Sequence, residues 1–349
     1  MMLVSAEQVS RWHPDKYADQ ISDAIFQACY EQDPNTRSAI ETLVKGTTVV
    51  IAGELSTLAD IEIDAIVESM AERYNYPVEK IIKLIILQSP EIANAMEDNA
   101  AGDQCTIVGY ATNESPSKLP IAFHYANMIM REYEKLVESS KLFNGDAKVI
   151  VTVDTSHPNI IEEVQMSVCH KANFLLHDVR DYLENRFGQQ FYCKKWVINP
   201  GGAWTIGGPL ADCGLTGRKI VCDQYGFSVP VGGGAFSGKD FSKLDRSGAY
   251  VARILAKNLL KQTSEAPDAQ MLVKLTYMMG KKQPVTATAD FITNSATFHD
   301  IVPELEHRSS LNVDAVMSLI KPDNIDLVKL SSGCHFYNTD IESLSGCEV

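Results

Sequence analysis

The sequence lacks several features that would place a chain of 349 residues in a special class. Its apolar run at 81–88 is too short to span a bilayer and is interrupted by Lys83. The first residues lack the charged start and sustained apolar stretch of a signal peptide. No C-x-x-C pair occurs among the eight cysteines, which favours reduced thiols over disulfides. These absences predict a cytoplasmic protein that does not contact a membrane.

Positive charge is also scarce, because the formal net charge is -14. Such a chain repels the phosphates of nucleic acids and anionic lipids, so we expect no nucleic-acid partner and no membrane partner. A polyanionic small molecule must then be held by a local cluster of cations. The length and the hydrophobic content of 45% are typical of a folded protein with two or three domains.

One stretch with grouped cations is GGGAFSGKDFSKLDRSGAY, at 232–250. It contains a G-x-x-x-x-G-K spacing from Gly233 through Gly238 to Lys239. A phosphate-binding P-loop needs Ser or Thr at the next position to hold Mg²⁺, whereas this chain has Asp240. A P-loop phosphotransferase is therefore one hypothesis, and an unrelated loop with similar chemistry is the other.

The hydrophobic pattern predicts an α+β fold. Runs rich in β-branched residues predict strands at 47–55, 148–155, 164–169, 271–279 and 285–291. Apolar residues three and four positions apart predict helices at 18–32, 60–74, 125–139, 175–187 and 244–260. The polar stretch 97–104 and the Pro/Gly-containing stretch 225–234 are candidate domain boundaries.

Three further segments carry charge. In HPDKYADQISDA, Pro14 suits the first turn of a helix, and Asp15, Asp19 and Asp23 follow along one face. This pattern is typical of acids near the positive end of a helix, but Asp15 is also a candidate Mg²⁺ ligand. The segments at 208–219 and 145–148 supply further cations beside glycines. The cations of the four segments are His13, Lys148, Arg218, Lys219, Lys239 and Lys243.

Longer motifs show a family resemblance. The motifs are HPDK with ADQISDA, IETLVK with AGE, QSPEI, AGDQ with GYATNE, DAK, IGGP with DCGLTGRK, and GGGAFSGKD with SK and DRS. In these motifs the sequence resembles S-adenosylmethionine synthetases. These motifs occur in the family's order from about residue 10 to about residue 260, and the last quarter matches less distinctly. The stretch at 232–250 thus resembles the family's triphosphate loop.

The resemblance implies a fold and a reaction. We expect three similar α/β-sandwich domains around a pseudo-threefold axis, at 1–97, 98–222 and 223–349. The implied substrates are ATP and L-methionine, whose sulfur attacks C5′ of the ribose; the released triphosphate is then cleaved to pyrophosphate and phosphate. The implied ions are Mg²⁺ and K⁺. The family places its active sites between the two subunits of a homodimer, and a tetramer is an alternative.

The resemblance also assigns roles to individual residues. Catalysis is implied for His13, Lys148, Arg218, Lys219 and Lys239, which are also ATP contacts. Further ATP contacts are implied at Asp103, Asp146, Ala147, Trp204, Asp212 and Ala235. Methionine contacts are implied at Glu54, Gln88, Asp212 and Lys243. Asp15 and Asp245 resemble the Mg²⁺ ligands, and Glu41 resembles the K⁺-associated glutamate.

Some positions depart from the family pattern. Trp12 and Cys105 replace glycines, Trp204 stands where Phe is common, and Phe241 replaces a proline. The segment at 88–102, which gates the site in the family, is shortened. We expect Trp12 to reroute the backbone before His13, with its ring over the site mouth or towards a partner subunit. Alternatively, the ring fills the space that the short segment leaves.

The residues leave two hypotheses beside the P-loop one. An active enzyme retains its ionisable site residues, whereas a catalytically silent relative keeps only the fold. Every ionisable residue implied above is present, and the departures are neutral. The sequence therefore favours an active enzyme.

Overall fold

The computed structural model describes residues 2–87, 100–299, 311–320 and 325–337. Its strands are β1 (Leu3–Val9), β2 (Arg37–Lys45), β3 (Thr48–Ser56), β4 (Lys80–Ile86), β5 (Cys105–Thr112), β6 (Phe143–Asp154), β7 (Ile161–His170), β8 (Trp196–Ile198), β9 (Gly214–Leu215), β10 (Gln270–Tyr277), β11 (Thr286–Ile292) and β12 (Thr297–Phe298). Its helices are α1 (Pro14–Tyr30), α2 (Ile63–Tyr74), α3 (Ile121–Ser139), α4 (Leu176–Gly188), α5 (Ile220–Asp223), α6 (Leu244–Thr263), α7 (Val313–Leu319) and α8 (Leu327–Leu330). A 3₁₀ turn covers Gly208–Leu210.

The strands form three four-stranded sheets, and a long helix packs on each sheet. The sheet orders are β4-β3-β2-β9 under α1, β1-β6-β7-β8 under α3, and β12-β11-β10-β5 under α6. The predicted α+β class is therefore confirmed, and so are the five strands and five helices expected from the sequence pattern, with shifted ends. Each sheet includes a strand from a distant part of the chain, namely β9, β1 or β5. The contiguous boundaries given above stay a prediction.

Local sequence explains these elements. In β6, Ala147, Val149, Val151 and Val153 are buried and alternate with less buried residues, as a strand with one covered face requires. Helix α1 begins at Pro14, whose missing N–H is not needed in the first turn.

The described part of the chain contains no helix that is both long and apolar enough to cross a membrane. It also contains no disulfide, since its seven cysteines are all free thiols. The largest side chains with no measurable exposure include ionic and phenolic ones, such as Arg246, Lys16 and Tyr133. A buried charge must be paired to be tolerated. Arg246 pairs with Asp23, and Lys16 pairs with Asp19 and Asp223, close to the candidate site.

The face of the β4-β3-β2-β9 sheet away from α1 is the feature that bears most on function. Register places Glu41, Ala52 and Leu84 side by side on this face, and places Ala39, Glu54 and Ile86 side by side one layer along. A third layer holds Leu43, Val50 and Ile82. Leu84 and Ile86 are 62% and 66% exposed. We name this the outer face; it is a mainly apolar surface interrupted by two carboxylates.

Candidate active site

One edge of β2 brings two loops together that are distant in sequence. β9 pairs with the C-terminal part of β2, which places the loop at 208–219 there. Lys239 forms an isolated antiparallel bridge to Ala39 near the start of β2, which places the loop at 232–243 beside it. The two cation-bearing segments are therefore neighbours along a single strand. Ala235 of the second loop lies against Gly217 of the first, where a Cβ on Gly217 would come within 2.6 Å of the Ala235 methyl.

Helix α1 holds both loops through carboxylates on one face. Three aspartates of α1, spaced four residues apart, each accept a backbone N–H from one of the loops. The bonds are Leu215 N to Asp15 Oδ1 at 2.9 Å, Gly217 N to Asp19 Oδ1 at 2.8 Å, and Gly238 N to Asp23 Oδ1 at 2.9 Å. The face predicted from the sequence thus acts as a series of loop anchors.

His13 caps the start of this helix. Its Nδ1 accepts the N–H of Asp15 at 3.1 Å. Burial lowers the pKa of the imidazole to about 4; Lys219 lowers it further, whereas Asp15 and Asp212 act in the opposite direction. Because Nδ1 is an acceptor, the neutral ring carries its proton on Nε2. His13 is therefore an uncharged N–H donor in this structure.

Asp15 has a cationic partner from the first loop. Lys219 Nζ lies 2.6 Å from Asp15 Oδ2, while Oδ1 accepts the amide of Leu215. The carboxylate is buried, and a partner on each of its oxygens fixes its orientation. Lys148 stands nearby and acts on the pKa of His13; its Nζ pairs with Glu7 at 2.7 Å.

Asp146 is buried behind the 3₁₀ turn. Its Oδ2 accepts the amide of Gly208 at 2.7 Å, whereas its Oδ1 has no hydrogen-bond partner among the described residues. Burial raises the pKa of this carboxyl to about 6, and the charge of Asp212 adds to the effect. A polar atom that is buried without a partner in the protein fits the predicted contact with a ligand.

The structure therefore brings five of the predicted ATP residues together around His13, with the predicted Mg²⁺ ligand Asp15 beside them. Of the others, Arg218 is exposed next to Lys219, Ala147 is buried between its neighbours, and the Trp204 indole donates to the carbonyl of Ile206 at 2.6 Å. We name the grouped residues the His13 cluster: His13, Asp15, Asp146, Lys148, Asp212 and Lys219.

A second group of predicted residues lines a separate cavity of about 320 Å³. Its walls contain residues from β2 and β3, the start of β5, the loop at 232–243 and the first turn of α6. We name the ionisable ones the Asp245 cluster: Glu54, Asp103, Lys239, Lys243 and Asp245. Predicted contacts of methionine, ATP and Mg²⁺ thus share one cavity.

Asp245 has the same kind of partner as Asp15. Lys239 Nζ lies 2.6 Å from Asp245 Oδ2. The carboxylate lies against the backbone of Gly234, where an added Cβ would come within 2.1 Å of its Cγ, so a side chain at 234 would displace the carboxylate. Cys105 lines the same cavity, and burial raises the pKa of its thiol to about 12, with Asp245 and Asp103 adding to the effect. At neutral pH this thiol is uncharged.

Two further predicted residues lie on the outer face of the sheet. Glu41 is exposed there, and Glu54 is half-buried where that face meets the cavity. The predicted methionine contact Gln88 lies outside the described residues, as does most of the shortened segment at 88–102.

Asp240 decides against a P-loop. Its carboxylate is buried and accepts the amide of Ser38 at 2.9 Å and the amide of Ser242 at 2.8 Å. Oδ2 thus fixes the loop to β2, and Oδ1 closes a turn within the loop. In a P-loop the helix opens at the lysine, whereas here α6 begins only at Leu244. The phosphotransferase hypothesis is therefore wrong.

The structure contradicts the expected place of Trp12 over the site mouth or towards a partner, whereas the alternative, that its ring fills space left by the segment at 88–102, falls mostly outside the described residues. Its ring is 8% exposed and packs edge-on against Tyr74, with the Arg11 guanidinium 4.3 Å from the ring centroid. Gly145, at φ +97°, makes room for the ring, because a Cβ there would lie 2.4 Å from the indole. Trp12 itself does not have a positive φ. The ring is thus part of the core behind His13, neither at the mouth of the Asp245-cluster cavity nor turned outwards to a partner.

Phe241, the residue at the family's proline position, is likewise a core residue. It is buried and packs edge-on against Phe26 at 5.6 Å and Tyr30 at 5.5 Å. The replacement adds aromatic packing beneath the loop at 232–243 without touching the cavity.

Sequence reasoning missed several residues that shape the site. The sequence pattern showed Asp19 and Asp23 on one helix face but not their partners, the loop amides and the buried cations Lys16 and Arg246. Met279 lines the cavity from just beyond β10, and nothing in its sequence context indicated that.

The carboxylates can be tested against the implied ions. Within the described ranges, no group of three or more His, Cys, Asp or Glu side chains could hold a metal by itself. Mg²⁺ does not require such a group, since it usually takes one or two carboxylates together with substrate phosphates. Asp15 and Asp245 fit that pattern, because each is a hard oxygen donor beside a predicted phosphate-binding lysine. Glu41 can offer K⁺ one carboxylate.

Comparisons with known proteins identify the family. Three family profiles match in sequence: "S-adenosylmethionine synthetase, N-terminal domain" at 1–101, the central domain at 98–204 and the C-terminal domain at 206–343. Among solved structures, the fold is similar to one titled "Structure of an Unusual S-adenosylmethionine synthetase from Campylobacter jejuni". The match has 26% sequence identity and a TM-score of 0.86, and it covers 99% of this chain and 100% of the other.

Proposed function

The chain belongs to the S-adenosylmethionine synthetase family and joins ATP to L-methionine, and from that premise we propose that its His13 and Asp245 clusters are the two halves of one composite active site. One observation carries the proposal. In each half, an aspartate assigned to Mg²⁺ is paired at 2.6 Å with a lysine assigned to phosphate. Each half thus holds one such pair. Only the His13 cluster contains the histidine, and only the Asp245 cluster contains the predicted methionine contacts Glu54 and Lys243.

We assign the two halves of each site to different subunits of a homodimer. The cavity of the Asp245 cluster is lined by no member of the His13 cluster. The charges that shift the pKa of His13 belong to its own cluster, and those that shift the pKa of Cys105 belong to the other. Closing two copies over the outer face would bury its apolar residues and bring Glu41 and Glu54 into the interface.

The lysines act on the leaving group. As the methionine sulfur attacks C5′, negative charge grows on the departing triphosphate. Lys219 and Arg218 from one half, and Lys239 from the other, stabilise that charge more strongly as the bond breaks, which accelerates the step. In this structure, Asp15 pairs with Lys219 and Asp245 pairs with Lys239. Binding of a polyphosphate therefore replaces existing ion pairs, and neither Lys219 nor Lys239 is without a counter-charge before it binds.

His13 has a different role from the lysines. Its neutral ring donates Nε2–H without adding a charge, so we assign it to the oxygen that leaves C5′. Its place at the start of α1 fixes it next to Asp15. Lys148 and the open Oδ1 of Asp146 are assigned to the nucleotide on the same side.

Methionine is a zwitterion, and the Asp245 cluster offers a partner for each of its charges. We assign the carboxylate of methionine to Lys243 and its ammonium group to Glu54, which line the same cavity. Asp15 and Asp245 would hold Mg²⁺, which would neutralise triphosphate oxygens, and Glu41 would hold K⁺, which would offset that carboxylate in the interface.

Replacing Leu84 by Asp tests the proposed interface. A charge on the outer face cannot be buried unpaired, so we expect the dimer to dissociate and synthesis to fall by about tenfold or more at assay concentration. Sedimentation measures the oligomer, and an S-adenosylmethionine assay measures the rate. The matched control is Leu175→Asp, since Leu175 is 64% exposed at the start of α4, away from the outer face. A fully dimeric and active Leu84→Asp protein would contradict the assignment.

A further inference from the structure

We propose that Asp19 and Asp23 are positioning residues that set the places of Lys219 and Lys239, one aspartate for each loop. The proposal rests on the proposed function, because it takes those lysines to be the groups that act on the triphosphate. Neither aspartate contacts the cavity or is assigned to a ligand. Each acts through the backbone of the residues that precede its lysine.

Asp23 holds the loop of Lys239 by two routes. Its Oδ1 accepts the amide of Gly238, the residue before Lys239, at 2.9 Å. Its carboxylate also accepts two bonds from Arg246, at 2.7 and 3.1 Å. The same guanidinium donates to the carbonyl of Lys239 at 2.9 Å. The buried pair therefore fixes the chain on both sides of the Cα of Lys239.

The backbone at Gly238 packs directly against β2. Gly238 has φ +79°, and a Cβ there would lie 1.9 Å from the carbonyl oxygen of Ile40. That carbonyl belongs to β2, whose Ile40 amide donates to Gly238 at 3.1 Å. The loop is thus held between β2 and Asp23, and releasing Asp23 removes the restraint on the side away from β2.

Asp19 does the same for the loop of Lys219. Its Oδ1 accepts the amide of Gly217 at 2.8 Å, and its Oδ2 accepts from Lys16 at 2.9 Å. Lys16 is fully buried and also donates to Asp223 at 2.5 Å, in the short helix α5 that directly follows Lys219. The loop is therefore anchored before and after its cations by one buried ion network.

A purely stabilising role would not need this arrangement. Buried ion pairs are poor stabilisers, because the cost of removing both charges from water offsets most of their attraction. Here each carboxylate accepts one hydrogen bond from a loop amide and its other hydrogen bonds from a buried cation. That cation also contacts the same loop or the helix that follows it. The geometry points to fixing the loops, for which a misplacement of about 1 Å can cost about 100-fold in rate.

Crossed double-mutant cycles test the proposal. The four single variants are Asp19→Asn, Asp23→Asn, Lys219→Met and Lys239→Met, and every aspartate–lysine combination is also made. We expect each aspartate variant to lower kcat by about 100-fold. Asp23→Asn should add less than about threefold once Lys239 is Met, because a lysine that is absent cannot be misplaced. With Lys219→Met, the two costs should multiply.

The Asp19 arm should show the opposite pattern, with no further loss on Lys219→Met and multiplied losses on Lys239→Met. If the aspartates had a merely structural role, the losses of kcat would multiply in every aspartate–lysine double variant, because the loss of folded protein does not depend on which lysine is present. Thermal midpoints of all variants are measured alongside. If Asp23→Asn does not fold, Arg246→Lys replaces it, since lysine keeps the charge but loses the fork that reaches Lys239; Asp223→Asn serves likewise for the Asp19 arm.

The outcomes separate the two levels of inference. Lysine single variants that leave kcat within about threefold of the wild type would overturn the proposed function, and the positioning roles with it. Lysine variants that lose activity, combined with multiplied costs in all four pairs, would overturn the positioning roles alone. Equal non-additivity in all four pairs would also overturn them, because it would mean that neither aspartate serves a particular loop.

Discussion

Replacing Lys239 by Met is expected to lower the rate of S-adenosylmethionine synthesis by about 100-fold or more. The methionine KM should change by less than about threefold, because the lost charge matters most when the bond to the triphosphate breaks. The structure adds a reason for a large effect. Lys239 lines the cavity and is held by its backbone against β2 and by its side chain against Asp245, so the position of its charge is fixed.

Steady-state rates with ATP and methionine varied independently measure this effect. The matched control is Lys194→Met, which removes a lysine paired with Glu162 on the surface and should leave both parameters unchanged. If methionine affinity collapsed in Lys239→Met while the saturated rate held, Lys239 would belong to the methionine site instead.

Replacing Asp15 or Asp245 by Asn is expected to raise the Mg²⁺ concentration needed for half-maximal rate by about tenfold or more. Asn keeps the shape of each side chain but removes the charge that suits a hard cation. Because we assign both residues to one metal site across the subunit interface, the double change should cost less than the product of the single costs.

Titrations of rate against Mg²⁺ for the three variants provide the measurement. The control is Glu163→Gln, which removes a carboxylate of a surface pair with Lys195. Costs that multiply fully would mean that the two carboxylates serve separate ions or separate steps.

Long motifs and strongly periodic segments were predictable from the sequence. The buried face of α1 and the alternation of β6 follow directly from their apolar spacing. β2 was missed because its buried face reads Ser38, Ile40, Thr42 and Val44, half of it polar. Those hydroxyls are satisfied by groups far away in sequence, with Ser38 Oγ donating to the carbonyl of Gly238. No local pattern can show such a partner.

The candidate site was predictable as a set of residues but not as an arrangement. Motifs indicated Lys219 and Lys239 as similar cations in one site. Only the pairing of both loops with β2 shows that each has its own aspartate and its own anchor on α1. Trp12 failed for a related reason. The slot that accepts its ring is made by Gly145, and the complementarity of two distant residues is not visible in either one alone.

The most direct test of the composite site is complementation between two inactive subunits. Lys219→Met and Lys239→Met chains, carrying different purification tags, are co-expressed, and mixed dimers are isolated through both tags. If each site takes the His13 cluster from one subunit and the Asp245 cluster from its partner, every mixed dimer has one intact site and one doubly defective site. Random pairing then restores about a quarter of wild-type activity before separation, and about half in the isolated mixed dimers. Activity no higher than that of either parent would contradict the account, because it would place both clusters of each site in a single chain.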